Sequence, residues 1–304
     1  MEGTEQLAGL LRALGDPSRL RLLHALEQGE LTVSEITEIT GLSQPRVSRH
    51  LKLLCDARVL RRARDQNQVY YRANIDADRR ALVQQALQAL APDDPDLAQD
   101  QARLKTILDK RAIRAQELLA ELGIKPLDPG TAAEVAATIT ALLATTDDGA
   151  GALGRLLDIG TGTATMLPLL APYADRVVAI DYSRDMRLVA RARVLAHGLV
   201  NCTVQDGDMY ALTLPQESFD TVTMDRVLGV AGQGGRAVAE AARMLKPGGR
   251  LLIVETSLSG VDEKMLLGWL GAPGIRPVEV RRSTDGHAFI ALSEKRAAAR
   301  SQVA

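Results

Sequence analysis

Residues 156–164 read Leu-Leu-Asp-Ile-Gly-Thr-Gly-Thr-Ala, an apolar run carrying Asp158 and followed by a glycine turn at Gly160 and Gly162. The short apolar run predicts a buried strand, and TGTATMLPLL after it predicts the first turns of a helix. Glycines at such a junction let the backbone approach a ligand without a Cβ in the way, while the first N–H groups of a new helix lack intrahelical partners and face outward. Two later segments strengthen this reading: RVVAID ends at Asp181 and VQDGD at Asp208. An acidic residue roughly 20 positions beyond the turn is where such folds hold a ribose diol. Asp181 occupies that place, so the junction is a candidate nucleotide site.

Toward the C-terminus, strand-like segments (RLLD, RVVAID, CTVQ, FDTVTM, GRLLIVE) alternate with helical stretches, and a closing pair lies near PVEVRR and HAFIAL. Alternation predicts a parallel sheet covered by helices on both faces, with ligands at the carboxyl ends of the strands. Lys246-Pro247-Gly248-Gly249-Arg250 is expected to be a sharp return, since proline stops the preceding helix and the glycines reverse the chain.

Toward the N-terminus, Thr145–Gly151 reads as a loop, Thr131–Leu143 as an amphipathic helix and Asp128-Pro129-Gly130 as a turn. Before them Leu97–Leu122 has a long helical pattern with interspersed charges, ended by Gly123. It is too long and too polar to be buried all round, so it predicts a connector or a dimerisation seam.

The first ninety residues are helical at the start. Gly41 separates the short helix SEITEIT from QPRVSRHLKLLCDARVL, which Ser43 and Pro45 open. This is a helix-turn-helix pattern. Ser43, Gln44, Arg46, Ser48, Arg49, His50 and Lys52 fall in or near the first turns of the second helix, while Val47, Leu51 and Leu54 mark its buried face. A recognition helix needs that division between groups for bases and phosphates and an apolar stripe. The segment VLRRARDQNQVYYRA predicts a hairpin, with Arg62, Arg64 and Gln68 as further contact candidates. From Ser43 to Arg72 eight Lys/Arg face two Asp, a local balance of +6 in a chain of net charge −1. Such a concentration is the electrostatic footprint of a phosphate backbone, or else a solvated basic face on a protein-interaction module; helix, turn, helix and basic wing together favour double-stranded DNA.

With 304 residues, the chain is long enough for two domains. Its 37 basic and 38 acidic residues exclude any argument from global charge. Cys55 and Cys202 lie far apart, with neither metal-ligand spacing nor a disulfide framework. The acidic N-terminus and the absence of an 18-residue apolar run lead us to expect a cytoplasmic protein with no membrane span.

LGDPSRLRLLHAL, LSQPRVSRHLKLL and VYYRA resemble the ArsR family of dimeric winged helix-turn-helix repressors, across roughly residues 5–90. The resemblance implies a homodimer on operator DNA. Where arsenical and metal sensors of that family carry a cysteine pair, this chain has Leu31-Thr32-Val33-Ser34-Glu35, so no metal site is expected. DIGTGTA, AIDYS, QDGDMYALTLPQESFD and LKPGGRLLIVE together resemble the class I S-adenosylmethionine-dependent methyltransferases, over about residues 150–292. That resemblance implies a Rossmann-like α/β fold binding S-adenosylmethionine or S-adenosylhomocysteine. Asp158, Gly160 and Gly162 would hold its amino-acid part, Asp181 the ribose hydroxyls and Asp208 with Met209 the adenine; Thr161, Tyr182 and Asp225 complete the set. The third glycine position is Ala164, a departure from the pattern.

The expected organisation has two domains. An N-terminal α+β winged helix-turn-helix occupies 1–92, a helical linker or dimerisation segment 93–148, a C-terminal α/β methyltransferase-like domain 149–294 and a tail 295–304. Methyl transfer needs an acceptor held in line with the sulfonium, and often a base. After the FDTVTM strand only Asp225 and Arg226 are polar candidates, and little chain is left for a lid. The residues therefore favour a ligand-responsive repressor, which the resemblance connects with methionine and S-adenosylmethionine-cycle genes. The alternative is an active methyltransferase of unknown acceptor with a DNA-targeting or autoregulatory winged domain.

Overall fold

A computed structural model describes residues 3–73, 77–91, 93–121, 153–229, 231–256, 260–271, 274–283 and 288–296, with a few isolated positions from 123 to 137. The expected turn at Asp128–Gly130, the loop at Thr145–Gly151 and most of the helix at Thr131–Leu143 lie outside the described residues. The chain divides into two compact units, the first holding Met1–Glu117 and the second most of Leu118–Ala304.

In the first unit, helices α1 (Thr4–Leu14) and α2 (Pro17–Leu26) precede a short strand β1 (Leu31–Thr32). Helices α3 (Val33–Thr40) and α4 (Gln44–Asp56) follow, then the hairpin β2 (Leu60–Asp65) and β3 (Gln68–Ala73). The α3–α4 turn is set locally. Thr32 and Glu35 cap each other's backbone N–H at the start of α3, and Gly41 ends it in the left-handed region at φ 67°. Pro45 then stands in the first turn of α4, where its missing N–H costs nothing. Strand β3 pairs antiparallel with both β1 and β2, giving a sheet of order β1-β3-β2.

Helix α5 (Ala77–Gln88) and the long α6 (Pro95–Glu121) complete the unit. Leu104 and Ile107 of α6 join the core formed by Leu22, Leu26, Ile36, Ile39, Val47 and Leu51. Charged contacts fasten the same helix: Arg21 donates to both carboxylate oxygens of Asp100 at 2.7 Å, and Arg103 donates to the Ile39 carbonyl at 3.1 Å. The sequence reading starts a linker at residue 93, whereas these contacts bind α6 as far as Ile107 into the helix-turn-helix core.

The second unit is a seven-stranded sheet. Its strands are β4 (Arg155–Ile159), β5 (Arg176–Asp181), β6 (Cys202–Asp206), β7 (Phe219–Asp225), β8 (Leu245–Thr256), β9 (Ile275–Arg282) and β10 (Ala288–Lys295). Their order is β6-β5-β4-β7-β8-β10-β9, the first five parallel and β10 antiparallel to both β8 and β9. Strands buried on both faces read as continuous apolar runs, which is why LLDI and VVAI carry no alternation. Helices α7 (Leu167–Leu170), α8 (Arg184–Ala196), α9 (Gly234–Met244) and α10 (Glu263–Leu270) connect them. LKPGG lies within β8, at a register shift between Phe219 and Thr221, so the expected return is an irregular opening of the strand.

The expected helix at TGTATMLPLL starts late. Gly160, Gly162 and Ala164 all have positive φ (66°, 52° and 57°), so the chain cannot coil into a right-handed helix before Leu167. Ala164 thus takes the left-handed conformation of the third glycine position despite its Cβ.

Candidate functional site

The strand order reverses around β4, with β5 on one side and β7 on the other. Ligands of open parallel sheets bind in the crevice beyond the strand ends at such a switch point. The glycine turn leaves β4 there. Thr161 N–H donates to the Ile180 carbonyl at 2.8 Å and Gly162 N–H to Asp181 Oδ2 at 2.8 Å. Contrary to the expectation of outward-facing donors, these two amides are used inside the protein. A Cβ on Gly160 would lie 2.4 Å from Val227 Cγ2, whereas one on Gly162 would meet nothing closer than 3.8 Å. The first glycine is required by packing; the second leaves open space where a ligand can approach.

Each parallel strand carries a carboxylate at or next to its carboxyl end: Asp158, Asp181, Asp206, Asp225 and Glu255. Two are matched by cations. The Arg187 guanidinium lies 2.8 Å from Asp206, and Arg226 holds Asp225 through two contacts of 2.9 and 3.0 Å. Among the described residues, Asp158, Asp181 and Glu255 have no Lys or Arg within ion-pair distance.

Asp158 is buried and accepts a 2.6 Å hydrogen bond from the Thr223 hydroxyl of the adjacent strand. Burial pushes its carboxyl up to about 6; the Thr161 and Thr223 hydroxyls oppose the rise, and the charges of Asp225 and Asp181 add to it. Burial likewise raises Asp181, although its two oxygens accept the Ser183 and Gly162 N–H groups. Each Asp181 oxygen keeps a lone pair for another donor. Tyr182 is 78% exposed, Asp208 is exposed and Met209 is partly buried. The predicted residues thus lie at or just beyond the carboxyl ends of β4, β5, β6 and β7, with Asp225 occupied by its neighbour. Asp158 and Asp181 without an ion-pair partner among the described residues, an open glycine turn and the exposed Tyr182 ring suit a ligand bearing an ammonium, a ribose diol and a base.

Sequence reasoning missed Arg187, Thr223 and Glu255. Arg187 is fully buried in α8 and donates to the carbonyls of Asp181 and Tyr182 at 2.9 Å, so it ties the segment after β5 to the end of β6. Thr223 is the register neighbour of Asp158 in β7. The signal for Glu255 was a carboxylate closing the apolar run LLIVE, the same pattern that marked Asp181.

In the first unit, Ser43, Gln44, Arg46, Ser48, Arg49 and Lys52 on α4 are exposed, as are Arg62, Arg64 and Gln68 on the hairpin. Arg46 also donates to the Ser18 hydroxyl at 3.1 Å, and Gln68 accepts from the Tyr70 hydroxyl at 2.7 Å. His50 corrects the expected set. It is buried on the face of Val47, Leu51 and Leu54, where burial lowers its imidazole against the pull of Asp16. Helical spacing explains this, since residue 50 lies three after Val47 and four before Leu54. Arg72 and Asp65 are buried too, which removes one charge of each sign from the exposed balance.

Among the described residues no helix is long and apolar enough to cross a membrane, and no group of three or more His, Cys, Asp or Glu could hold a metal.

Two family models match the chain: "Bacterial regulatory protein, arsR family" over residues 16–62 and "Methyltransferase domain" over 157–253. A demethylmenaquinone methyltransferase of Thermobifida fusca is 34% identical over 144 residues, 47% of this chain and 61% of that protein. The Bacillus subtilis protein described as uncharacterized methyltransferase YcgJ is 33% identical over 101 residues, 33% of this chain and 40% of that one. The chain thus spans less than two thirds of either relative. A solved S-adenosylmethionine-dependent methyltransferase from Aquifex aeolicus aligns with 20% identity and a TM-score of 0.46, over 56% of this chain and all of that one. The methyltransferase match supports S-adenosylmethionine binding. The chain joins an ArsR-family helix-turn-helix domain to a methyltransferase domain.

Proposed function

We propose that this protein is a dimeric transcriptional repressor whose methyltransferase domain binds S-adenosylmethionine or S-adenosylhomocysteine as an effector. The observation that carries this reading is the exposed cationic face of α4 and the hairpin in a chain that also sets Asp158 and Asp181 beside an open glycine turn. One surface suits a phosphate backbone, the other a cationic nucleoside. The ligand then alters operator affinity by binding the DNA-competent and DNA-incompetent forms unequally. Asp208 and Asp181 hold base and ribose, and Asp158 sits beneath the amino-acid end. The family resemblance points to genes of the methionine and S-adenosylmethionine cycle as targets.

A second reading, active methyl transfer, is favoured by the relatives' names, which include demethylmenaquinone methyltransferase. Against it, Asp225 and Arg226, the polar pair after β7, are held by each other. Bound S-adenosylmethionine would supply an electrophilic methyl group; Asp225 would have to leave Arg226 before it could take a proton from an acceptor.

The test is operator binding by purified protein at fixed salt, titrated separately with each ligand. A several-fold change in DNA affinity with either supports the regulator. Binding of both ligands without any change removes the effector role and leaves the enzyme reading.

A further inference from the structure

Glu255 is fully buried near the end of β8, directly after the buried apolar run Leu251–Val254. A buried carboxylate is tolerated only when its oxygens are hydrogen-bonded. Here backbone amides do this: Oε2 accepts from Leu228 N–H at 2.9 Å and Gly229 N–H at 3.1 Å, and Oε1 from Thr256 N–H at 2.9 Å. Two of these donors lie in the segment that leaves β7, so a side chain of one strand fixes the exit of the next.

That segment reaches the ligand site through one residue. Val227 precedes Leu228, is buried, and fills the space a Cβ on Gly160 would occupy, with its Cγ2 2.4 Å from that position. Its neighbour Arg226 has φ 52° and donates its backbone N–H to Val254 at 2.7 Å. The non-glycine residue is thus held in a costly conformation by contacts with β8.

We infer that Glu255 is a positioning residue for the nucleoside site, holding Val227 against Gly160 and thereby setting the height of the glycine turn. Glu255 itself does not touch the ligand in this arrangement. The inference rests on the ligand reading proposed above and adds to it the residue that shapes the turn from beneath.

The experiment is calorimetric titration of the full-length protein with S-adenosylhomocysteine, on wild type, Glu255→Met, Val227→Ala and the double variant, each checked by thermal melting. Glu255→Met removes the acceptor of the Leu228 and Gly229 N–H groups and so releases Val227, and affinity should fall by about tenfold. Val227→Ala should lower it as well, and the double variant should lose less than the product of the two, because both act through one contact. A merely structural Glu255 would shift the melting temperature and leave the affinity of folded protein unchanged. Unchanged affinity in Glu255→Met, or multiplicative losses in the double variant, overturns the inference. If Glu255→Met does not fold, Val227→Ala decides alone, since it keeps the carboxylate's bonds; unchanged affinity there overturns the inference equally. Wild-type protein that bound neither S-adenosylhomocysteine nor S-adenosylmethionine would overturn the ligand reading along with it.

Discussion

Arg111 of α6 and Glu35 of α3 form a two-point ion pair, Nε to Oε1 at 2.7 Å and Nη2 to Oε2 at 2.6 Å. Two parallel donors on one carboxylate fix orientation as well as distance. Arg111 also donates to the Glu30 carbonyl at 3.1 Å, and Glu35 caps α3 through Thr32. The long helix is therefore joined to the first helix of the helix-turn-helix at its capped end. Both side chains are mostly shielded, so Arg111→Met should lower stability by about 1–3 kcal/mol, as a carboxylate loses its charged partner. We expect it also to weaken the effect of S-adenosylmethionine on operator affinity, with ligand affinity itself unchanged. Denaturant melts and paired DNA titrations check this; a full ligand response would remove α6 from the coupling route.

The exposed cations predict a salt dependence. Arg49 and Lys52 on α4 face solvent, and neither is tied to a carboxylate among the described residues. If both contact phosphates, each alanine substitution should reduce the slope of log K against log salt by about 1 and weaken binding alike on operator and random DNA. His50→Ala should leave that slope unaltered, because the imidazole is buried. A slope identical to wild type in both Arg49→Ala and Lys52→Ala would mean that α4 does not approach the backbone.

The two glycines of the turn should separate fold from ligand. Gly160→Ala drives a methyl into Val227 and forces an L-residue to φ 66°, so the second unit should be strongly destabilised. Gly162→Ala meets open space and incurs only the left-handed penalty of about 1–2 kcal/mol, so the protein should fold and lose ligand affinity. Thermal melts with and without S-adenosylhomocysteine would show this. Equal melting losses with intact ligand stabilisation in Gly162→Ala would place the ligand elsewhere.

Strand and helix periodicity made the sheet legible, because Leu156, Ile159, Val177 and Ile180 sit in apolar runs too short for helices. Asp158, Asp181 and Asp225 were legible for the same reason, each interrupting or closing such a run, whereas Glu255 closes one too and was passed over. His50 was misread because residue type was weighed over spacing, although its period from Val47 placed it inward. Arg187 could not be read locally: an arginine on an amphipathic helix is ordinarily solvated, and the carbonyls of Asp181 and Tyr182 with the Asp206 carboxylate account for its burial through contacts outside its own helix. Ala164 shows the same limit, since its left-handed backbone is imposed by the turn around it.

If Asp158 holds the amino-acid end of the ligand, binding should depend on pH. Its carboxyl is raised from 3.8 to about 6 in the folded chain, so between those values the native state holds a proton the unfolded chain has lost. Stability attributable to this group is therefore present at low pH, falls as pH rises from about 4 to about 6, and is flat above. A bound ammonium reverses the preference by favouring the carboxylate, so S-adenosylhomocysteine affinity should rise through the same region and level off above pH 7. Near pH 6 binding should release a proton, seen as a calorimetric enthalpy that varies with the ionisation enthalpy of the buffer. Thr223→Val removes the 2.6 Å donor to Asp158 and should move the midpoint of that rise to higher pH. S-adenosylmethionine carries one more positive charge, so its affinity should climb more steeply than that of the thioether. Binding without proton exchange at pH 6, and with parallel pH profiles for the two ligands, would mean that Asp158 does not face the amino-acid end.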